Sequence, residues 1–398
     1  MRALKGLPLQ KPQIGMADLI RRSRAARAAG SAGASHLTEI AGFGPNPGGL
    51  RLLASVPQGL PEGAPLVVAL HGCTQDAAGY DLGCGWSAMA HRLGFALLLP
   101  EQRRANNPNA CFNWFEPGAA GRDGHEVVSI RQMVARMLET HRLDPRRVYV
   151  TGLSAGGAMA AALLATCPDV FAAGAIVAGL PYGAAGTMHE AFEAMATGRP
   201  RPARDWGDLV RAASAHRGPW PRVSIWQGEA DTTVRPVNAD QLLRQWLDLH
   251  GLALAGGRLE GEAGGHLRRV WRGEDGRVLV EHHSLPGMAH GVPIHAGDGP
   301  ERCGTAGPFV LDVGISSTHR IAAFFGLGSA GRVAEDHATE PARAAARTGT
   351  LGLITIGRDG EARLPATPPH EAPSPPEHAG GPGAVIRKAL TAAGLMRP

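Results

Sequence analysis

Short, unbroken apolar runs recur through the middle of the chain, with helix-patterned stretches between them. The runs at residues 66–70 (Leu-Val-Val-Ala-Leu), 95–99, 147–151, 173–178, 223–226 and 278–283 have the length of strands. The clearest of them show no polar alternation, as expected of parallel strands covered on both faces. Between them, residues 86–93, an alanine-rich run after residue 154, and residues 237–250 and 315–325 read as helices. One more helix is expected to begin at Asp123-Gly124-His125-Glu126, which has capping-box spacing. Val127, Ile130, Val134, Met137 and His141 then recur at 3.6-type spacing, so this helix lays one face on a sheet. Strand alternating with helix predicts an α/β fold: a mostly parallel, doubly wound sheet with helices on both faces. Residues 180–218, which carry Met188, Met195 and Trp206, are poorly patterned and read as an insertion that caps or walls a cleft. No internal repeat is present.

This patterning assigns residues 43–327 to one globular domain. Residues 1–42 contain no aromatic side chain and read as a short basic helix at 21–30 followed by a Ser/Gly-rich linker. Residues 328–398 form a Pro/Ala/Gly-rich tail, largely disordered by composition, in which 351–356 reads as an isolated strand and 384–396 as a short basic amphipathic helix. The tail is either a flexible end or a segment that docks to a partner or an apolar granule surface.

Composition narrows the function classes. Of the 398 residues 44% are hydrophobic and 19% charged, as in soluble globular proteins. The net charge of +5 is mild and much of it sits at Arg21, Arg22, Arg24 and Arg27, so no nucleic-acid groove is expected. No stretch is apolar for long enough to span a bilayer. The first fifteen residues lack the apolar core of a signal peptide, which favours a cytoplasmic location. Cys73, Cys84, Cys111, Cys167 and Cys303 show no metal-ligand spacing, and so sparse a set suits free, buried thiols in a reducing compartment.

The candidate chemistry centres on Gly152-Leu153-Ser154-Ala155-Gly156, which lies between a strand and an alanine-rich helix. In that context Gly-x-Ser-x-Gly matches the nucleophile elbow of α/β-hydrolases, where a sharp turn holds the serine Oγ clear of the backbone. Such a serine needs a base, and the base needs an acid to orient it. The expected chain order is serine, acid, histidine, each in a loop beyond a strand. Asp231 follows the 223–226 strand and is the candidate acid, with Glu229 its near competitor. Asp205 and Asp208 fall in the insertion, and Asp240 in the next helix. His290, in the glycine-flanked loop after the 278–283 strand, is the candidate base among 17 histidines. His282 and His283 read as strand residues, and His295 comes late for the loop. The oxyanion needs two backbone N–H donors. They are expected from Ala155 and from Cys73, the latter in the His71-Gly72-Cys73 loop.

With these residues in hand the chain resembles the poly(3-hydroxybutyrate) depolymerase-type esterases, relatives of feruloyl and acetylxylan esterases. The matching stretches are residues 70–75, 111–115 (Cys-Phe-Asn-Trp-Phe), 129–133 and 144–157, with the Asp231 and His290 loops. The likeness covers residues 42–327 and neither tail. It implies an α/β-hydrolase fold, no cofactor, and a serine esterase that forms an acyl-enzyme on Ser154. The implied substrates are hydroxyalkanoate polymer, its oligomers or short-chain esters. Feruloyl or acetylxylan-type ester hydrolysis, acyl transfer to an alcohol or sugar, and a non-catalytic binding protein of the same fold are the alternatives. The resemblance also implies a Cys73–Cys111 disulfide, since the cysteine of this loop can be bonded in secreted relatives. That sets an extracellular location against the cytoplasmic one. Trp114 and Phe115 become candidates for an aromatic wall against the substrate, with ordinary core packing as the other reading.

Overall fold

The computed structural model describes residues 37–261 and 266–328. The expected helix at 21–30 and the tail features at 351–356 and 384–396 lie outside the described residues. The strands are β1 (Thr38–Glu39), β2 (Arg51–Ser55), β3 (Leu66–Leu70), β4 (Ala96–Glu101), β5 (Val148–Leu153), β6 (Ala173–Val177), β7 (Arg222–Gly228), β8 (Arg258–Gly261), β9 (Leu267–Arg272), β10 (Val278–Leu285), β11 (Val292–Ile294) and β12 (Val310–Asp312). The helices are α1 (Ala77–Cys84), α2 (Trp86–Leu93), α3 (Pro117–Ala120), α4 (His125–His141), α5 (Ala155–Thr166), α6 (Met188–Thr197), α7 (Ala203–Ala212), α8 (Val237–Leu249) and α9 (Ser317–Phe324).

Ten strands form one sheet in the order β1-β2-β4-β3-β5-β6-β7-β10-β9-β8. The run from β4 to β10 is parallel throughout. Successive side chains of a strand point to opposite faces, and β3 shows what each face meets. Leu66, Val68 and Leu70 join a core with Ile130 and Met133 of α4, Leu163 and Leu164 of α5, and Leu242 and Trp246 of α8. Val67 and Ala69 join a second core with Tyr80 of α1, Trp86 and Met89 of α2, and Ile321 of α9. The continuous apolar runs are thus apolar because both faces are covered, and the sheet is doubly wound.

Three features depart from the expected pattern. Both edges of the sheet are antiparallel: β1 and β2 extend it beyond β4, and β9 and β8 extend it beyond β10. Nor does β10 end the strand series, because β11 and β12 pair in a separate small sheet. The Asp123–Glu126 capping box does not form: α4 is capped by Gly124 without a side-chain hydrogen bond. Glu126 is instead fully buried and its carboxylate is engaged elsewhere. The insertion holds two helices, α6 and α7. Ala194, Met195, Trp206 and Leu209 from them pack with Ala158 of α5 and Val234, which fixes the insertion beside the start of α5.

The backbone crosses closely where β5 passes into α5. A Cβ on Gly152 would lie 2.4 Å from the Gly156 carbonyl, and one on Gly156 would lie 2.4 Å from Leu70 O and 2.5 Å from His71 O. These neighbours are backbone and cannot swing away. The helix behind them is alanine-rich and buried along its whole length. Gly156→Ala is therefore expected to destabilise the protein by roughly 3 kcal/mol, a fall of about 6–12 °C in Tm. Thermal unfolding of the variant checks this, and a Tm within about 2 °C of wild type would refute the close-crossing argument.

Candidate active site

Ser154 occupies the turn between β5 and α5 with φ 56° and ψ −117°. A side-chain-bearing residue at positive φ costs on the order of 1–3 kcal/mol. The surroundings impose it: Ser154 N–H donates to Val177 O of β6 at 2.9 Å, and Ser154 O accepts from Ala158 N–H at 2.8 Å. The residue is half-buried.

Asp231 and His290 lie in loops beyond β7 and β10, at the same C-terminal sheet edge as Ser154. The loops are tied together, with Glu229 N–H donating to Leu285 O and Ala230 N–H to Met288 O, both at 3.0 Å. Asp231 is buried. Its Oδ1 accepts from Thr233 N–H at 2.8 Å and Val234 N–H at 2.9 Å. Its Oδ2 accepts from Gln227 Nε2 at 3.3 Å and from His290 Nδ1 at 2.7 Å. A carboxylate facing only donors puts the imidazole proton on Nδ1 and leaves Nε2 with a lone pair. Phe309 meets the His290 ring edge-on at 6.0 Å. Among the described residues no hydrogen bond joins Ser154 Oγ to His290.

The competing residues are engaged elsewhere. Glu229 accepts from Ser284 Oγ at 2.7 Å. His283 lies flat on Trp226 at 3.7 Å within the sheet, and burial pushes its neighbour His282 down to about 4. His295 contacts Asp298 O.

The loop after β3 carries three consecutive N–H groups. Gly72 N–H donates to Gln75 Oε1 at 2.8 Å and Thr74 N–H to Asn109 O at 2.6 Å. Cys73 N–H, between them, has no acceptor among the described residues, and neither has Ala155 N–H at the first position of α5. Cys73 is disulfide-bonded to Cys111 (S–S 2.07 Å), so the expectation of free thiols fails for this pair. Cys84, Cys167 and Cys303 are free and buried.

Trp114 is half-buried and packs against the cluster formed by Ala158, Leu180, Ala184, Ala194, Trp206 and Val234. Phe115 meets Trp114 edge-on at 5.6 Å but is only 8% exposed, so its ring is mostly spent on packing. Among the described residues no group of His, Cys, Asp or Glu is arranged to hold a metal ion, and no helix is long and apolar enough to cross a membrane.

A buried polar network that no local pattern announces lies beneath these loops. Glu126 Oε1 accepts from Gln102 Nε2 at 2.6 Å and Asn113 Nδ2 at 2.8 Å, and Oε2 from Asn113 N–H at 3.0 Å. Gln102 N–H in turn donates to His71 Nε2 at 3.0 Å. Burial pushes the Glu126 carboxyl up to about 7 against the pull of these hydrogen bonds. Its folded-state value thus exceeds the unfolded one, so its contribution to stability is full below about 4.5 and is lost as pH rises through about 7. At about 1.4 kcal/mol per unit the loss is about 3 kcal/mol. Chemical denaturation across this range should show wild type losing stability relative to Glu126→Gln as pH rises. A difference that is flat with pH would contradict the shift.

Residues 52–268 match the Esterase PHB depolymerase family. Poly(3-hydroxyalkanoate) depolymerase C of Paucimonas lemoignei is 46% identical over 292 residues, which cover 73% of this chain and 70% of that protein. Feruloyl esterase B of Thermothelomyces thermophilus is 35% identical over 228 residues, 56% of this chain and 77% of that one. Among solved structures, an acetyl xylan esterase from Aspergillus awamori superposes with a TM-score of 0.62 at 23% identity, covering 74% of this chain and 99% of that chain, a likeness of fold. With its α/β-hydrolase sheet and these relatives, the chain belongs to the Esterase PHB depolymerase family and is a carboxylic ester hydrolase.

Proposed function

We propose that the chain hydrolyses esters of 3-hydroxyalkanoates, as polymer or oligomer, through an acyl-enzyme on Ser154. The observation that carries the mechanism is the 2.7 Å hydrogen bond from His290 Nδ1 to a fully engaged Asp231, which leaves Nε2 free as a base. His290 Nε2 takes the proton of Ser154 Oγ as Oγ bonds to the acyl carbon. The carbonyl oxygen becomes an oxyanion that accepts from Cys73 N–H and Ala155 N–H. Collapse expels the alcohol, which takes the proton from His290. A water then repeats the sequence on the acyl-enzyme, releasing the acid and restoring the serine.

The substrate class rests on the 46% identical relative, whose name specifies poly(3-hydroxyalkanoate). A surface feature supports polymer as the target. Met188 and Phe192 stand one turn apart on α6 with 45% and 39% exposure, while Ala191 and Ala194 face inward. An exposed apolar pair suits adhesion to an apolar solid.

Ser154→Ala is expected to lower p-nitrophenyl butyrate hydrolysis by roughly 1000-fold or more with an unchanged melting temperature. Turnover within about tenfold of wild type would sink the serine assignment. The paired change Met188→Ser/Phe192→Ser should cost about tenfold on amorphous poly(3-hydroxybutyrate) granules, equivalent to about 1.4 kcal/mol of lost adhesion, and leave the soluble ester untouched. If granules and soluble ester fall together, the pair has no role in polymer contact. If feruloyl or acetylated sugars outpace hydroxybutyrate oligomers in the same assay, the substrate assignment passes to plant cell-wall esters.

A further inference from the structure

Beside its disulfide, the oxyanion loop is held by a chain of hydrogen bonds that leads back to one buried side chain. Cys73 is bonded to Cys111, and Thr74 N–H donates to Asn109 O at 2.6 Å, so the loop takes its place from the segment between Asn107 and Trp114. Within that segment, Asn107 Oδ1 accepts from Asn109 N–H at 3.0 Å, and Asn107 Nδ2 donates to Asn113 Oδ1 at 2.9 Å. Asn113 in turn gives both its N–H and its Nδ2 to Glu126. On the other side Gln102, whose backbone N–H holds His71 Nε2, gives its side-chain amide to the same carboxylate. His71 begins the oxyanion loop, and its ring meets Phe112 at a tilt, 5.0 Å between centroids.

We propose that Glu126 is a positioning residue of this esterase, whose carboxylate clamps Asn113 and Gln102 and so sets the place of the oxyanion loop around Cys73. The inference rests on reading Cys73 N–H as an oxyanion donor. The clamp needs a carboxylate in particular. All three groups facing Glu126 are donors, and Gln102 Oε1 and Asn113 Oδ1 are already used by Asn106 Nδ2 and Asn107 Nδ2. A neutral acid or an amide at this position presents a donor to donors, and at least one of the three bonds is lost. Asn113 and Gln102 cannot repair it by turning over their amides without breaking the bonds behind them.

The titratable and charged groups around the carboxylate are few. Glu116, exposed beyond the Trp114 segment, adds to the upward push on it. His71 lies one link away through Gln102, His125 precedes it on α4 and is half-buried, and Arg103 is exposed. No cation contacts the carboxylate among its hydrogen-bond partners, so its charge is met by amides alone.

The test compares Glu126→Gln with wild type on p-nitrophenyl butyrate across pH 5.5 to 9, with Ser154→Ala alongside. At the alkaline end, kcat of Glu126→Gln should fall about tenfold or more with KM within about threefold, because the donor is displaced rather than removed. The ratio of variant to wild-type kcat should then climb toward one as pH falls through about 7, where wild type acquires the same neutral group. A deficit of constant size at every pH, or one confined to KM, would mean a merely structural role and overturn the proposal. If Glu126→Gln does not fold, Asn113→Ala is read instead. A folded Asn113→Ala protein with kcat within about twofold of wild type overturns it equally. An active Ser154→Ala protein would bring down the serine reading and this inference together. An inactive one beside a fully active Glu126→Gln brings down this inference alone.

Discussion

Everything at the candidate site depends on how closely α5 approaches the ends of β3 and β5. Two glycines permit it, because a single methyl group at either would meet backbone carbonyl carbon or oxygen at 2.4 Å. Held at that distance, the first turn of α5 lies against the Leu70 and His71 carbonyls at the end of β3, and Ser154 takes a positive φ. The nucleophile turn and the loop that carries Cys73 are therefore one contact surface. Displacing either moves both.

The second organising feature is the division of labour between the two sides of the site. On the Asp231–His290 side, orientation comes from a chain of backbone N–H groups and one glutamine converging on a carboxylate. On the Cys73 side, another carboxylate, Glu126, collects amides in the same manner, with a disulfide running in parallel. Both are buried carboxyl groups met by donors, an arrangement in which each missing donor is costly because the site is closed to solvent. Asp231 holds the ring of a histidine, whereas Glu126 holds the backbone and side chain of Asn113 in the neighbouring loop.

Ser154, Asp231 and His290 could be nominated from the sequence because each follows a strand whose apolar run is unbroken, and the C-terminal ends of parallel strands share one edge. The parallel core was legible for the same reason. β8 and β9 were not, because Arg258, Glu260, Arg268 and Arg272 carry their pattern in charge rather than in apolar alternation. Helices α6 and α7 leave little apolar pattern because they bury few residues, Ala191 and Ala194 in one and Trp206, Gly207 and Val210 in the other. Glu126 was legible only as a helix-start acid. Its partners Gln102 and Asn113 come from separate segments, and nothing local announces that three polar side chains will meet in a place without water.

The charged strands at the far side of the sheet carry a consequence for how copies of the protein behave in concentrated solution. A sheet that ended at β10 would have eight strands and present an eight-residue edge with unpaired N–H and C=O groups, ready to accept a strand from a second molecule. Instead β9 and β8 cover it, and Arg268 ties Glu260 and Glu281 together across three neighbouring strands. The outermost strand is four residues long and carries Arg258 and Glu260. Short, charged edges are poor templates for strand addition. The border whose pattern lies in charge is thus also a poor template for a strand from a second copy.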